Sequence, residues 1–333
     1  MMSNILKKIK KANLVGRGGA AYPTYLKWQA VKKEKNFPKY VICNASEGEL
    51  GLCKDIYILE NFPEMVLKGM KIAMDFLGTK YAYFNFNAKY YELVRKRLDP
   101  MIKKHGDKGY VLRVFKEKPS YIGGEETALL NAIEGQRVEP RLKPPYPSEK
   151  GLFCQPTLIH NVETLFNIAK VEEGTYDVKR FMSVCGKVKN PGVFYFHENY
   201  TIEKVLHESK NYPDFDFFVQ VGGSASGPVF NMEQIKEKIV TGAGSIEIYD
   251  KKMDVKKLLS KWFDFYANES CGKCTPCREG TFQLAKLVKD NKKVPWKEIM
   301  EILDTLDKTA FCALGGGVSV GVRSYLENVV CNS

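Results

Sequence analysis

Three textures follow one another along the chain, and together they predict a mixed α/β fold class. Helical and strand-like patterns alternate through about residue 170, which favours a layered α/β domain. From about 179 to 250 short strand-like runs and turns dominate, suiting a small β-rich domain. From 254 to the end the apolar spacing is helical again, with cysteines between the helices. The expected domains are 1–175, 176–252 and 253–333. A length of 333 residues, with 44% hydrophobic and 27% charged, is enough for two or three folded domains.

Each element has its own warrant. Residues 39–43 form a short buried-strand pattern stopped at Asn44. Met65, Val66, Met70, Ala73 and Leu77 lie at helical spacing over 62–77, with Asn61 as the expected cap and Pro63 in the first turn. Residues 81–86 read as strand, 90–104 as helix and 110–115 as strand again. Pro140, Pro144, Pro145, Pro147 and Pro156 predict an extended, ordered loop over 138–157. Residues 184–196 look like two strands about the Asn190-Pro191-Gly192 turn. A short helix starts at Thr201, and 217–221 and 245–249 are further strands. Four helices are expected near 254–267, 278–290, 296–307 and 318–329.

Composition excludes several classes. No run of eighteen apolar residues exists to span a membrane. The N-terminus has no apolar segment of the secretory kind, so the expectation is a cytoplasmic chain. The net charge is +12, but the lysines are spread along the chain rather than gathered on one element, which argues against nucleic acid and for solvated faces or acidic partners.

The strongest motif is the cysteine run. Cys271, Cys274 and Cys277 stand at intervals of three, and Cys312 follows 34 residues later. Three thiolates on one turn of chain fit three corners of a cubane, and a distant fourth closes it. Structural zinc, which ordinarily takes two separated pairs, fits less well. The other cysteines, at 43, 53, 154, 185 and 331, show no ligand spacing.

Further upstream lie loops suited to phosphate and cofactor. Gly16-Arg-Gly-Gly-Ala-Ala21 leads into a helix carrying Lys27 and Trp28. Its glycines let backbone approach a phosphate at a helix start, yet a Lys-rich, helix-like segment precedes it where a dinucleotide fingerprint needs a strand. The turn from Asn44 to Gly51, with Ser46, Glu47 and Glu49, follows a strand, where ligands of open α/β sheets bind. Tyr121, Gly124, Glu125 and Glu126 sit at a helix start, where stabilisation of the macrodipole also explains the two acids. Arg141, Lys143 and Tyr146 lie on the proline-rich stretch, and Asn161 to Thr164 enter an apolar helix with Asn161 as a candidate cap.

In this order the motifs resemble the NADH-binding flavoprotein subunit of respiratory complex I and its counterparts in NAD-linked hydrogenases, electron-bifurcating hydrogenases and formate dehydrogenases. The likeness runs from about residue 13 to 328 and is nearly letter for letter over 270–280 and 311–315. It implies an FMN-binding α/β domain, a ubiquitin-like β-grasp domain of the SLBB type and a four-helix iron–sulfur domain. It implies that Gly16, Gly18, Gly19, Lys27, Asn44, Ser46, Glu47, Tyr121, Gly124, Glu125, Glu126, Asn161 and Thr164 surround FMN. Tyr22, Glu49, Lys143 and Tyr146 would face NAD(H), and Cys271, Cys274, Cys277 and Cys312 would hold a [4Fe–4S] cluster.

The resemblance implies an NADH dehydrogenase activity: hydride passes to FMN, then single electrons pass through the cluster to a thioredoxin-like [2Fe–2S] subunit and a multi-cluster iron–sulfur subunit, peripheral to any membrane. No catalytic acid or base is implied, because hydride transfer needs none. The chain departs from the pattern at Ala21, where a glycine is usual, at Tyr22 for Phe, at Ala30 for Phe, at Ser46 for an acid, at Leu50 for Pro and at Gly123 for Cys. Two other readings follow from these departures and from the cysteines: a flavin and cluster relay serving protein partners or a different nucleotide, and a zinc-stabilised binding module.

Overall fold

A computed structural model describes residues 4–331. Two compact units result, one comprising Met1–Gly48 and Cys53–Phe181, the other Glu49–Leu52 and Met182–Ser333.

The first unit begins with α1 (Asn4–Lys11) and α2 (Thr24–Lys33). It continues through β1 (Tyr40–Ala45), α3 (Lys54–Asn61), α4 (Pro63–Leu77), β2 (Tyr81–Asn87), α5 (Ala88–Gly106) and β3 (Val111–Glu117). Then come α6 (Glu126–Ile133), the one-turn α7 (Pro147–Lys150), β4 (Thr157–Asn161) and α8 (Val162–Glu173). The sheet order is β3-β2-β1-β4, with every pairing parallel. Parallel strands need crossover helices and covered faces, which explains the nearly continuous burial of Val41, Ile42, Cys43, Ala82, Phe84 and Phe86. Helices α4 and α8 pack tightly enough that a Cβ at Gly69 would stand 2.0 Å from the Leu165 carbonyl oxygen.

The second unit opens with a five-stranded mixed sheet of order β6-β5-β9-β7-β8. Its strands are β5 (Lys179–Gly186), β6 (Gly192–His197), β7 (Phe217–Val221), β8 (Val229–Asn231) and β9 (Ser245–Asp250), with α9 (Ile202–Glu208) between β6 and β7. β5 runs parallel to β9, while β7 runs antiparallel to both β8 and β9. Met182, Val184, Val205, Leu206, Phe217, Val219, Ile246 and Ile248 form its core. Helices α10 (Val255–Glu269), α11 (Thr275–Asp290), α12 (Trp296–Thr309), α13 (Ala313–Gly316) and α14 (Val318–Tyr325) follow. No helix among the described residues is long and apolar enough to cross a membrane.

Most sequence-based elements are present, with informative differences. Asn61 does not cap α4: it is the last residue of α3 and donates its side-chain amide to the Tyr57 carbonyl, while Phe62 occupies the cap position. The short helix α3 and the strand β4 were not expected, since eight and five residues are too few to show a clear period. The stretch over 138–157 is not wholly extended, because α7 forms where Pro147 opens a turn whose capping involves Tyr146 and Glu149. The helix expected from 278 starts at Thr275, with Pro276 in its first turn, so Cys277 lies inside it.

Candidate functional site

Strand register gathers one candidate site at the carboxyl edge of the parallel sheet. Asn44 on β1 lies beside Asn161 on β4 and Asn85 on β2, so a row of amides crosses the strand ends. Glu117 ends β3 opposite Asn87. In an all-parallel sheet this is the edge where the chain leaves for its helices, and it is where ligands of such sheets bind.

The loops at that edge are tied together by side chains. Asn44 donates its amide to the Gly124 carbonyl at 2.8 Å and accepts from the Ser46 N–H at 3.2 Å. A Cβ at Gly124 would stand 3.0 Å from the Ser46 carbonyl oxygen, so the two turns approach as only glycine allows. Thr164, fully buried on α8, accepts from the Arg17 N–H at 2.9 Å and anchors the glycine loop. Gly18 faces Asn161, whose Cβ would be 3.3 Å from a Cβ placed at Gly18. Gly19 has φ +117° and remains open on its outer side. Gly16 donates to the Tyr22 carbonyl at 2.9 Å, closing the loop, and leaves Gly18, Gly19 and Tyr22 exposed.

Ala21 adopts φ +49°, in the left-handed region that favours glycine. Ala21→Gly is expected to stabilise the protein by about 0.5–1 kcal/mol, the relief of the Cβ clash exceeding the added freedom of the unfolded chain. A rise in the urea midpoint at unchanged slope checks this; a fall shows that the alanine is unstrained.

Ion pairs set the electrostatics. Lys27 reaches Glu126 at 3.0 Å and the Ile159 carbonyl at 3.1 Å. Lys143 bridges Glu125 at 2.8 Å and Glu126 at 3.2 Å. Burial alone would raise the Glu126 pKa, but Lys27 and Lys143 together hold it below its usual range. Glu125 caps α6, accepting from the Thr127 and Ala128 N–H groups, which confirms a helix-start role for that acid. Trp28 donates to His160 Nε2 at 2.8 Å, and burial followed by Lys27 pushes the imidazole far toward its neutral form.

The sequence did not reveal the buried network behind Asn161. Lys54 lies 2.6 Å from Asp55 and 3.3 Å from Glu163, and all three side chains are almost fully buried. Asn161 donates to Asp55 at 2.6 Å, accepts from Lys54 at 3.3 Å and caps α8 through the Glu163 N–H. Glu47 accepts from the Asp55 and Ile56 N–H groups at the start of α3, and burial, then Asp55, drives its pKa up. Glu47 therefore orders the helix next to the site rather than pointing a free carboxylate into it. Only its position three residues past Asn44 hinted at this.

Of the remaining expected nucleotide contacts, Tyr22 and Tyr146 expose about half of their surface. Glu49 belongs to the second unit, where it accepts from the Ala225 N–H at 3.1 Å and from the Ser226 hydroxyl at 2.7 Å.

The residues at the sheet edge fit FMN. Buried polar atoms there, both ends of the Asn85 amide and one Glu117 oxygen, make no well-formed hydrogen bond within the protein beyond their contact with each other, and the exposed glycine loop offers backbone to a phosphate.

The cysteines give a second candidate site, within the second unit, where they repel one another, although among the described residues no group of three or more such side chains is arranged to hold a metal ion as it stands. Cys274 occupies the cap position of α11, Cys277 its first turn and Cys312 the cap position of α13. Cys271 precedes Gly272, whose φ of +76° turns the chain back. Burial raises the Cys277 thiol to about 11 and also raises Cys312, and the quartet's mutual repulsion adds to both shifts. The Leu314 and Gly315 N–H groups oppose this at the Cys312 sulfur. A Cβ at Gly315 would stand 2.7 Å from the Ala310 Cβ and 3.2 Å from the Cys277 Cβ, so glycine is what lets α13 close beside Cys277. Four sulfurs without imidazole, two of them at helix cap positions and a third in a first turn, suit an anionic iron–sulfur cubane: its positive irons would remove the repulsion and the helix ends favour its charge.

Comparison with known proteins matches two regions of the chain. The Nuo51 FMN-binding domain model matches residues 9–170, and the NADH-ubiquinone oxidoreductase-F iron-sulfur binding region matches residues 257–329. The chain is 30% identical to the second F subunit of NADH-quinone oxidoreductase in Rhizobium meliloti, covering 97% of this chain and 86% of that one. It is 31% identical to the NADH-quinone oxidoreductase F subunit of Streptomyces coelicolor, covering 97% and 81%. Among solved structures, the H2-reduced NAD+-reducing [NiFe]-hydrogenase matches with a TM-score of 0.90 at 27% identity; 97% of this chain is covered but only 61% of that one.

Proposed function

The chain belongs to the family of NADH-quinone oxidoreductase F subunits, with an FMN-binding domain ahead of a [4Fe–4S] region, and we propose that it is the NADH-oxidising electron-input subunit of a multi-subunit redox complex. The observation that carries this reading is the meeting of Asn44, Gly124, Asn161, Thr164 and the glycine loop at one edge of the parallel sheet. Bound FMN supplies the chemistry, taking a hydride and releasing its electrons singly.

The protein's part is placement. The glycine loop and the start of α2 would hold the phosphate, since backbone donors and the helix end favour an anion. Lys27 sits against Glu126 and the β4 edge, and the buried Lys54 network fixes the Asn161 amide. Asn44 locks the Gly124 turn, whose backbone would help hold the flavin. Tyr22 and Tyr146 offer exposed aromatic faces to the nucleotide, and Lys143 brings a cation held by two carboxylates. Assignment of Glu49 to the nucleotide rests on the resemblance alone.

We further read residues 176–252 as a β-grasp domain of the SLBB type and 253–333 as the four-helix cluster domain. Support comes from the mixed sheet with α9 against it, and from the cysteines at helix starts. Electrons then leave for a thioredoxin-like [2Fe–2S] subunit and a multi-cluster iron–sulfur subunit.

Adding NADH anaerobically to the FMN-loaded chain is expected to bleach the flavin's yellow absorbance. Lys143→Met is expected to keep FMN while raising KM for NADH about tenfold, the loss of one charge-assisted contact. Bound flavin that NADH leaves yellow removes the NADH assignment and favours a relay between protein partners, with the departures at Ala30 and Ser46 as its cause.

A further inference from the structure

We propose that Glu117 is the acidic positioning residue of the flavin site in this chain, filling the place of the carboxylate that the family pattern carries at position 46. The proposal rests on the FMN reading above and deepens it.

Glu117 ends β3 on the carboxyl edge of the sheet and is only 5% exposed. One of its oxygens accepts the Ser46 hydroxyl, so the carboxylate sits where the 44–48 turn begins. That turn is the one whose Ser46 carbonyl presses on Gly124 and whose Ser46 N–H is held by Asn44. The other oxygen and the Asn85 amide, which is fully buried one strand away, make no well-formed hydrogen bond within the protein, although the amide and the carboxylate face one another. Enclosed together beside candidate FMN residues, the carboxylate and the amide have hydrogen-bonding capacity that Ser46 and their mutual contact do not fill, which points to donors and acceptors supplied by a bound group. A ribityl chain, rich in hydroxyls, has that chemistry.

Gly123 explains how the carboxylate gets there. A Cβ at Gly123 would stand 2.7 and 2.8 Å from the two Glu117 oxygens and 2.7 Å from the Ser120 hydroxyl. The cysteine usual in the family pattern therefore cannot coexist with Glu117 in this rotamer. The serine at 46 and the glycine at 123 are thus not two separate losses. They are two parts of one exchange, in which the acid moves from the end of β1 to the end of β3 and the side chain at 123 is removed to admit it. Burial raises the Glu117 pKa against the opposing Ser46 and Asn85 contacts, as expected of an acid enclosed by the protein.

The test is a double-mutant cycle on the full chain, comparing Ser46→Asp, Glu117→Gln and the two combined. FMN dissociation constants and the thermal midpoint of the FMN-free protein are the readouts. Glu117→Gln is expected to weaken FMN about tenfold, one charged hydrogen bond. Ser46→Asp alone is expected to lower the FMN-free midpoint by about 3 °C or more, because two carboxylates are then enclosed together. The combined variant is expected to regain most of both losses. Gly123→Cys is expected to be tolerated only when Glu117 is also changed to Gly.

Additive effects, or wild-type FMN affinity in Glu117→Gln, overturn the proposal. Failure of the wild type to bind FMN sinks the FMN reading instead, and the FMN-free midpoints still decide whether positions 46, 117 and 123 form one exchange.

Discussion

Lys54→Met is expected to destabilise the protein by about 3–5 kcal/mol, the cost of removing one partner from a buried ion cluster. Lys54 is the cation among Asp55 at 2.6 Å, Glu163 at 3.3 Å and the nearby Glu47, all of them nearly or fully buried. Burial alone would lower its pKa, but the surrounding carboxylates hold it above the usual value and keep it charged.

The sign of the pH dependence follows from Glu47. Its folded pKa is raised from 4.5 to about 8, first by burial and then by Asp55, with Lys54 pulling the other way. A group raised on folding contributes stability that is complete below its unfolded pKa and is lost as pH rises toward the folded value. Removing Lys54 raises Glu47 and Asp55 further, so the deficit of the variant should be wider at pH 8 than at pH 6. Urea midpoints at the two pH values check this. A deficit that narrows on going to pH 8 would show that Lys54 does not hold the carboxylates ionised. Because Lys54 and Asp55 fix Asn161, FMN affinity should fall with stability.

The sequence made the cysteine quartet and the glycine loop legible because both depend on short-range spacing. Three thiols at intervals of three fall on one turn of chain whatever packs around them, and Gly16 to Gly19 need only local backbone freedom. The long helices α4, α5 and α12 were legible for the same reason, since each repeats its apolar period several times. What could not be read depends on pairing across the sheet. Asn44, Asn85 and Asn161 become neighbours only through strand register, and β4 is five residues long with the burial of an interior strand on four of them. Glu47 read as a flavin residue of the acidic turn, and Lys54 and Asp55 drew no reading at all. Nothing local says that α3 carries Lys54 and Asp55 inward to meet Glu163, more than 100 residues away. Asn61 misled for a related reason: an amide before a proline reads as a cap, but here the preceding helix still owns it.

Cys274→Ser is expected to abolish the cluster while leaving the flavin half of the reaction intact. Serine is a favourable cap, and Cys274 occupies the cap position of α11, so the substitution preserves the helix start and isolates the loss of a ligand. A hydroxyl is a poor iron ligand at neutral pH, and the three remaining thiols then return to the state in which burial first, and mutual repulsion after it, raises Cys277 and Cys312. Iron and acid-labile sulfide should fall to background, and reduction of one-electron acceptors that depend on the cluster should fall at least about a hundredfold. Bleaching of bound FMN by NADH should persist, because Asn44, Asn161 and the glycine loop belong to the other unit. Cys331→Ser and Cys154→Ser, at exposed thiols outside the quartet, should change neither readout. Full iron and sulfide in Cys274→Ser would remove Cys274 from the ligand set. One zinc per wild-type chain without sulfide would replace the redox reading of this unit with a structural one.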